Sequence, residues 1–332
     1  MAYKSTVIVT GGTSGLGYHA ALDIARACPD SQVIISSRSD KEQAAASINK
    51  TLGQSNVIYK PLDLADLANV RDYAKEFTAS NTAAQRHLPI RALVLNAGLQ
   101  FPNEVKTTVD GLEATFGINH VGHALFFHLL VPYLADHARV VITASGVHDP
   151  DQMTGGIPPP IYTNAEELAH PTPEFSASHS GRQRYATSKL CNVLWAYALT
   201  RHLAERAPER GITVTAMDPG LMPGTGLGRE AGAVARFLWH NVMPRTIPVL
   251  RALTRSSNIH PPAESGAALA WLAVGEDAGV KDVTGKYFEG RREIRSSKDS
   301  YNVEKQEDLW QWTVGFLSGR DEEARRRFEE FR

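Results

Sequence analysis

The stretch Thr6-Val7-Ile8-Val9-Thr10-Gly11-Gly12-Thr13-Ser14-Gly15-Leu16-Gly17 decides the fold of this chain. Its β-branched apolar half predicts a buried strand, and its glycine-rich half predicts a turn that opens a helix. A phosphate can approach a backbone only where side chains are missing, and the amides and dipole of a helix N-terminus favour an anion. The G-x-x-x-G-x-G order of the glycines therefore predicts a dinucleotide-binding unit.

The alternation of apolar strand and helix continues along the chain. We predict further strands near residues 32–36, 57–59, 92–95, 139–143 and 212–216, and an edge strand near 285–288. The longest predicted helices cover 111–134 and 185–206. Continuous apolar strands separated by helices are typical of a parallel sheet covered on both faces. We therefore expect an α/β fold, a single Rossmann-fold domain with a doubly wound parallel sheet of about seven strands.

Composition narrows the class of protein. The chain has 332 residues, 42% of them hydrophobic, which suffices for one large core, and its net charge of −1 excludes an electrostatic case for nucleic-acid binding. Two cysteines, Cys28 and Cys191, form neither a disulfide framework nor a metal motif. We see no signal peptide and no apolar run near the ~20 residues of a membrane span, so a cytoplasmic location is expected.

Tyr185 and Lys189, in Tyr185-Ala186-Thr187-Ser188-Lys189, are the strongest candidates for chemistry. Residues four apart share one face of a helix. An adjacent ammonium would stabilise the phenolate and lower the pKa of Tyr185, which makes the pair an acid/base device. An ordinary surface helix has the same spacing, so the motifs upstream decide the interpretation.

Those motifs resemble the classical short-chain dehydrogenase/reductase family over about residues 5–290. Leu62-Asp63-Leu64, Asn96-Ala97-Gly98, Ile118-Asn119-His120, Thr143-Ala144-Ser145 and Pro219-Gly220 follow the glycine turn in the family's order. The long connection between Ser145 and Tyr185 is similar to that of retinol-dehydrogenase-like and protochlorophyllide-reductase-like members, and residues 185–192 are similar to the latter.

The resemblance implies a role for each matching position. Tyr185 is expected as the general acid/base, Lys189 as its partner, Ser145 as the group that holds the substrate oxygen, and Asn119 as the residue that holds a water of the proton relay. The residues expected to bind the cofactor are Gly11, Thr13, Ser14, Gly15, Leu16, Gly17, Ser37, Arg38, Asp63, Leu64, Asn96, Ala97, Gly98, Tyr185, Lys189, Pro219, Gly220 and Thr225.

Several of these positions have a structural alternative. Asp63 could serve only as a helix N-cap, Asn96 only as a brace for backbone amides, Asn119 as a buried polar group, and Ser145 as a strand end. Thr225 lies one place beyond the position of the family's threonine, which is Gly224 here.

The end of the second strand predicts the choice of cofactor. Arg38 suits the 2′-phosphate of NADP, whereas an acidic residue there would accept hydrogen bonds from the ribose of NAD. Asp40 is a rival ribose acceptor. We therefore predict NADP(H), with NAD as the alternative.

Two segments are expected to form the substrate side. Loops 146–184 and 221–260 belong to an expected NADP-binding domain of residues 1–295, followed by a helical C-terminal extension of residues 296–332. Within the second loop, Ala231 to Asn258 has three interpretations: a lid, an interface helix or a membrane-surface segment. We favour the lid, because two prolines interrupt the segment.

The predicted function is NADP(H)-dependent hydride transfer between the nicotinamide and a carbonyl/alcohol of a bulky apolar small molecule. Reduction of a conjugated C=C bond and a non-catalytic nucleotide-binding scaffold are the alternatives. We expect a small-molecule substrate, no nucleic acid and no metal. Membrane association is not favoured, and homo-oligomerisation stays open.

Overall fold

The strands and helices alternate as the sequence predicts. The computed structural model describes residues 3–79, 88–102, 104–152, 156–226, 232, 236–254 and 257–332. The strands of this part are β1 (Ser5–Thr10), β2 (Ser31–Ser37), β3 (Val57–Pro61), β4 (Ile90–Leu95), β5 (Leu134–Thr143), β6 (Thr213–Asp218), β7 (Lys286–Glu289) and β8 (Arg292–Ile294). The helices of this part are α1 (Gly15–Ala27), α2 (Ala44–Leu52), α3 (Leu67–Ala79), α4 (114–130), α5 (Ala165–Ala169), α6 (Pro173–Ser178), α7 (Gly181–Arg206), α8 (Ile247–Thr254), α9 (Pro262–Val274), α10 (Val303–Ser318) and α11 (Glu322–Glu330).

One sheet organises the molecule, in the order β3-β2-β1-β4-β5-β6-β7-β8. Every pairing is parallel except that of β7 with β8. Two hydrophobic clusters cover the two faces of the sheet, which confirms the doubly wound α/β prediction. The order reverses between β1 and β4, so a crevice forms beyond their carboxyl ends, where such folds bind ligands. The eighth strand was not predicted because Arg292-Glu293-Ile294 is short and lacks an apolar run.

Helix α4 corrects one expectation. The segment Ala114–Tyr133 is long and apolar enough to cross a membrane by length and composition, although no such run was predicted. Its most apolar window is 94% buried inside the protein. This helix is therefore apolar because it packs in the core between the sheet and the elements that cover it.

The connection before α7 is more ordered than its proline-rich sequence predicts. It contains α5 and α6, and the Asp308 carboxylate of α10 accepts hydrogen bonds from the Tyr162 hydroxyl (2.7 Å) and the Ala165 amide (2.8 Å). A buried ion pair, Arg184 to Glu113 at 3.4 Å, joins the start of α7 to that of α4. These contacts hold the connection against the helix that carries Tyr185.

The C-terminal helices complete the core on the outer side of α4 and α7. The ring of His128 stacks on Phe328 with centroids 4.8 Å apart, and that of His202 stacks on Trp310 at 4.3 Å. Burial lowers the pKa of His128 to about 3, so its imidazole is neutral. The boundary at residue 295 stays a prediction, although the helices beyond it share the core of the preceding residues.

Candidate active site

The glycine turn requires glycine at several positions, for reasons of backbone conformation or of space. Gly11 and Gly15 have φ angles of +67° and +53°, which favour glycine. A Cβ on Gly17 would lie 2.3 Å from the Gly11 carbonyl oxygen and 2.6 Å from Asn96 Nδ2. The turn thus packs directly against the segment that follows β4. Helix α1 begins behind it with no acidic residue in its first turn and no side-chain cap from Ser14, so its N-terminus is suited to an anion.

The side chains that follow β2 differ in whether other residues already occupy them with hydrogen bonds or ion pairs. Asp40 accepts hydrogen bonds from the Ala44 amide (2.6 Å) and the Ala45 amide (3.4 Å), so its carboxylate caps the start of α2. Arg38 is exposed and forms no ion pair with any described residue. The Thr13 and Ser37 hydroxyls lie 2.7 Å apart and link the glycine turn to this strand end. The Arg38 guanidinium is therefore available to a ligand, whereas the Asp40 carboxylate already accepts two backbone hydrogen bonds.

The motif after β4 braces the centre of the crevice. Asn96 Nδ2 donates to the Thr10 carbonyl at 2.8 Å, and the Asn96 amide donates to the Thr10 hydroxyl at 2.8 Å. A Cβ on Gly98 would lie 3.3 Å from Lys189 Nζ, so the Asn96-Ala97-Gly98 segment connects the glycine turn with α7. Asn96 therefore braces backbone groups, as the structural alternative predicted, and it also lies beside the crevice.

Asp63 and Leu64 lie at the end of β3. The Asp63 carboxylate accepts from the Ala65 amide at 3.0 Å, while Asp66 caps α3 by accepting from the amides of Ala68 and Asn69. Asp63 is therefore not the N-cap of that helix. Leu64 is buried, and its carbonyl oxygen would be 2.5 Å from a Cβ on Gly122.

Tyr185, Lys189 and Ser145 meet at the carboxyl ends of β5 and β6. The Ser145 side chain lies beside the Tyr185 hydroxyl and lowers its pKa. Lys189 Nζ lies 5.7 Å from the centre of the Tyr185 ring and donates to the Thr143 carbonyl at 2.9 Å. Tyr185 and Lys189 are almost fully buried. The structure thus places three of the four predicted catalytic side chains together, on elements that the core holds rigid.

The acid/base pair differs from expectation in its pKa values. Burial, and then the carboxylate of Asp218, raise the pKa of Tyr185, whereas the nearby Ser145 side chain lowers it. Burial lowers the pKa of Lys189 to about 8, and Asp218 opposes this shift. The expectation that Lys189 lowers the pKa of Tyr185 is not met, because desolvation is the largest cause and raises that pKa.

Asn119 occupies a π-helical turn, Gly117–Val121, within α4. Its amide group donates to the Leu99 carbonyl (3.0 Å) and the Ser188 hydroxyl (3.0 Å), and its side-chain oxygen accepts from the Leu99 amide (3.0 Å). Asn119 therefore clamps the loop after β4 to the helix that carries Tyr185. Its expected role in holding a water stays a prediction.

Asp218 and His148 are site residues that the sequence reasoning missed. Asp218 ends β6 and is buried, with one oxygen accepting from the Gly220 amide (3.0 Å) and the other from Asn258 Nδ2 (2.6 Å). His148 accepts from the Ser297 amide at Nε2 (3.0 Å), so its Nδ1 donates to the Ser145 carbonyl (2.7 Å). The available signal for Asp218 was an acidic residue directly before Pro219-Gly220, at the end of an apolar strand.

The turn after β6 brings Thr225 to the glycine turn. A Cβ on Gly15 would lie 3.6 Å from Thr225 Cγ2. The residue before Thr225 is Gly224, with a φ of +90°, which explains why a threonine is disfavoured there. Pro219 accepts a hydrogen bond from the Ser265 hydroxyl at 2.6 Å, which fixes the turn to α9.

The chain is similar in sequence to known oxidoreductases. A sequence model described as short chain dehydrogenase matches residues 5–154. Human retinol dehydrogenase 13 is 30% identical over 311 residues, covering 92% of this chain and 82% of its own. Chloroplastic protochlorophyllide reductase of Daucus carota is 30% identical over 329 residues, covering 93% and 77%. The cytoplasmic location stays a prediction from sequence, since that relative is chloroplastic.

The structural comparison agrees with the fold. Angucycline C-6 ketoreductase LanV, solved with bound NADP, superimposes with a TM-score of 0.59 at 17% identity, covering 86% of this chain and 93% of that one. At this identity the likeness shows the shared Rossmann fold.

Proposed function

Because the chain belongs to the short-chain dehydrogenase/reductase family, we propose that it is an NADP(H)-dependent oxidoreductase acting on the carbonyl/alcohol of a bulky apolar small molecule. The observation that carries the proposal is the buried pair of Tyr185 and Lys189, whose Nζ lies 5.7 Å from the centre of the Tyr185 ring, with the Ser145 side chain beside the phenol. A screen of NADPH consumption against steroid, retinoid, polyketide and terpenoid carbonyls tests it. Turnover of at least one ketone is expected, and binding of NADPH without any turnover would favour the scaffold alternative.

Each side chain has a task in this proposal. NADPH, when bound, supplies the hydride. Tyr185 donates its proton to the carbonyl oxygen or removes that of the alcohol in reverse, and its raised pKa keeps the phenol protonated for the reductive direction. Ser145 holds the substrate oxygen where negative charge develops. Lys189 binds the ribose next to the nicotinamide, and Asn119 holds the loop and the helix that flank the site.

The residues of the crevice fit NADP(H). The glycine turn and the uncompensated N-terminus of α1 suit the pyrophosphate. Arg38 is free to pair with the 2′-phosphate, while the Asp40 carboxylate that would suit NAD is bonded to the amides of α2. LanV, a protein of the same fold, was solved with NADP.

We expect Arg38→Ala to lose NADPH affinity selectively. A hydrogen-bonded charge contributes about 1.5–3 kcal/mol, so the Kd for NADPH should rise roughly tenfold to a hundredfold while that for NADH stays unchanged. Titration of both nucleotides measures this, with the exposed Arg292→Ala as the matched control. Equal losses for NADPH and NADH would remove Arg38 from the phosphate site.

Asp218 has a positioning role in this proposal. Its carboxylate is buried with Lys189 and Tyr185, and it favours the charged form of Lys189. Because an ammonium donates stronger hydrogen bonds than an amine, Asp218 preserves the interaction of Lys189 with the cofactor ribose.

NADPH affinity should therefore depend on pH. Since the pKa of Lys189 is about 8, the Kd should rise as pH increases through 8 and the ammonium is lost. Asp218→Asn removes a negative charge that raises this pKa, so the transition should move to lower pH. Asp149→Asn is the control, because Asp149 is a neighbouring carboxylate near His148 that does not shift Lys189. A transition unmoved by Asp218→Asn, or retained in Lys189→Met, would contradict the assignment.

Of the predicted lid, Ala231 to Asn258, residues 231, 233–235, 255 and 256 lie outside the described residues, and residues 236–254 supply the lid of the proposed site. Trp239 Nε1 donates to the Thr225 carbonyl at 2.8 Å, which joins this side chain to the turn after β6. Trp239→Ala should raise the substrate KM more than the Kd for NADPH, because it removes apolar surface from the substrate side. Its neighbour Phe237 is exposed and offers the control Phe237→Ala. An unchanged KM in Trp239→Ala would count against the lid.

Reduction of a conjugated C=C bond is the second candidate. The similarity to protochlorophyllide reductase favours it, whereas the hydroxyl of Ser145 beside Tyr185 favours a substrate oxygen at that position. Product analysis separates the two, since one yields an alcohol and the other a saturated ketone or ring.

A further inference from the structure

The lid segment, defined here as residues 236–254, exposes an unusual amount of apolar surface. Twelve large apolar side chains are exposed among the described residues, and five of them lie within 17 consecutive positions of this segment. They are Phe237, Leu238, Val242, Val249 and Leu253, called the outer face below. Scattered single apolar residues are normal on a surface, but such a concentration is typical of an interaction site.

The exposure is directional. Trp239 is half-buried and bonded to the Thr225 carbonyl, and Ile247 is buried. Leu238 and Val242 are four residues apart in one helical turn, and Val249 and Leu253 are four apart in α8, so each pair shares a side of its helix. Each helix therefore exposes an apolar pair, while Trp239 and Ile247 contact the rest of the protein.

Charged side chains in and around the lid segment are almost all basic. The whole chain balances 35 basic against 36 acidic residues, yet no Asp or Glu occurs between Glu230 and Glu264, where the sequence has four arginines. Arg251 is paired with Glu264 and bonded to the Ile259 carbonyl. Arg236 and Arg245 are exposed and form no ion pair with any described residue. Both lie on the same short segment as the outer face.

We propose that the outer face binds a membrane surface that carries anionic lipids, with the apolar side chains in the interface and the arginines at the headgroups. Apolar side chains beside unpaired cations are the combination that interfacial helices use. A fluid lipid surface accepts two short helices joined by a turn without requiring a matched groove. A patch with no carboxylate of its own complements a negative surface, which is why we favour lipid over a protein partner.

Vesicle sedimentation of the full chain tests this binding. We expect the protein to sediment with phosphatidylcholine vesicles that contain phosphatidylserine, and less with phosphatidylcholine alone. Arg236→Gln with Arg245→Gln should weaken binding to the anionic vesicles by about fivefold per arginine and leave the zwitterionic ones unaffected. Phe237→Asp with Leu253→Asp should abolish both. These side chains are exposed, so the melting temperature should not change.

Val109→Asp is the matched control, because Val109 is 80% exposed and lies outside the segment. Wild-type protein that stays in the supernatant with both vesicles would overturn the proposal. So would an equal loss of binding in Val109→Asp, or equal binding to both kinds of vesicle. Self-association in solution that Phe237→Asp dissolves, without lipid binding, would assign the face to a second copy of the chain instead. The readout needs no substrate, so it is independent of the proposed activity.

Discussion

Tyr185→Phe should abolish turnover while leaving NADPH binding close to that of the wild type. The substitution removes one hydroxyl from a buried ring, and that hydroxyl is the proposed proton donor beside the Ser145 side chain. General acid catalysis contributes about a hundredfold to ten-thousandfold to a rate, so kcat should fall by that factor. Steady-state kinetics with a ketone found in the screen, together with fluorescence titration of NADPH, measures both quantities.

Tyr197→Phe is the matched control for this experiment. Tyr197 lies on the same helix, and its hydroxyl is bonded to Ser296 Oγ at 2.6 Å, away from the proposed reaction. Its loss should cost some stability without affecting kcat. Full activity in Tyr185→Phe, or an equal loss in Tyr197→Phe, would contradict the role of Tyr185 as the proton donor.

Gly17→Ala should impair both folding and cofactor binding. The new Cβ would lie 2.3 Å from the Gly11 carbonyl oxygen, a backbone atom that cannot move without opening the turn. Overpacking of this kind costs about 1–3 kcal/mol, and the displaced turn should weaken NADPH binding by roughly five- to a hundredfold. Chemical denaturation and NADPH titration give the two values.

Gly315→Ala makes the same chemical change where nothing lies within 4 Å, inside helix α10. It should stabilise the protein by up to about 1 kcal/mol through helix propensity and leave NADPH affinity unchanged. If Gly17→Ala behaved like Gly315→Ala, the turn would not be the tightly packed phosphate site proposed here.

The sequence was most informative where local patterns determine structure. The apolar run 6–9 and its glycine turn predicted β1 and the start of α1, because strand burial and missing side chains are read directly from residue types. The grouping of Tyr185, Lys189 and Ser145 was expected from the resemblance to the family, and the structure brings the three side chains together.

Contacts between residues far apart in the chain could not be predicted from local sequence patterns. The Asp218–Asn258 hydrogen bond joins residues 40 positions apart, and His148 is fixed by an amide 149 positions away. The raised pKa of Tyr185 results from burial, which depends on the complete fold. The C-terminal helices were predicted as an extension that follows the domain, whereas Trp310 and Phe328 belong to its hydrophobic core.

Transfer of deuterium from NADPH labelled at C4 of the nicotinamide tests the central claim most directly. With a ketone found in the screen, we expect one deuterium on the carbinol carbon of the alcohol product and no label transfer in Tyr185→Phe. Deuterium on the former β-carbon of a reduced C=C bond with the carbonyl intact, or NADPH bound without any transfer across the whole panel, would exclude carbonyl reduction.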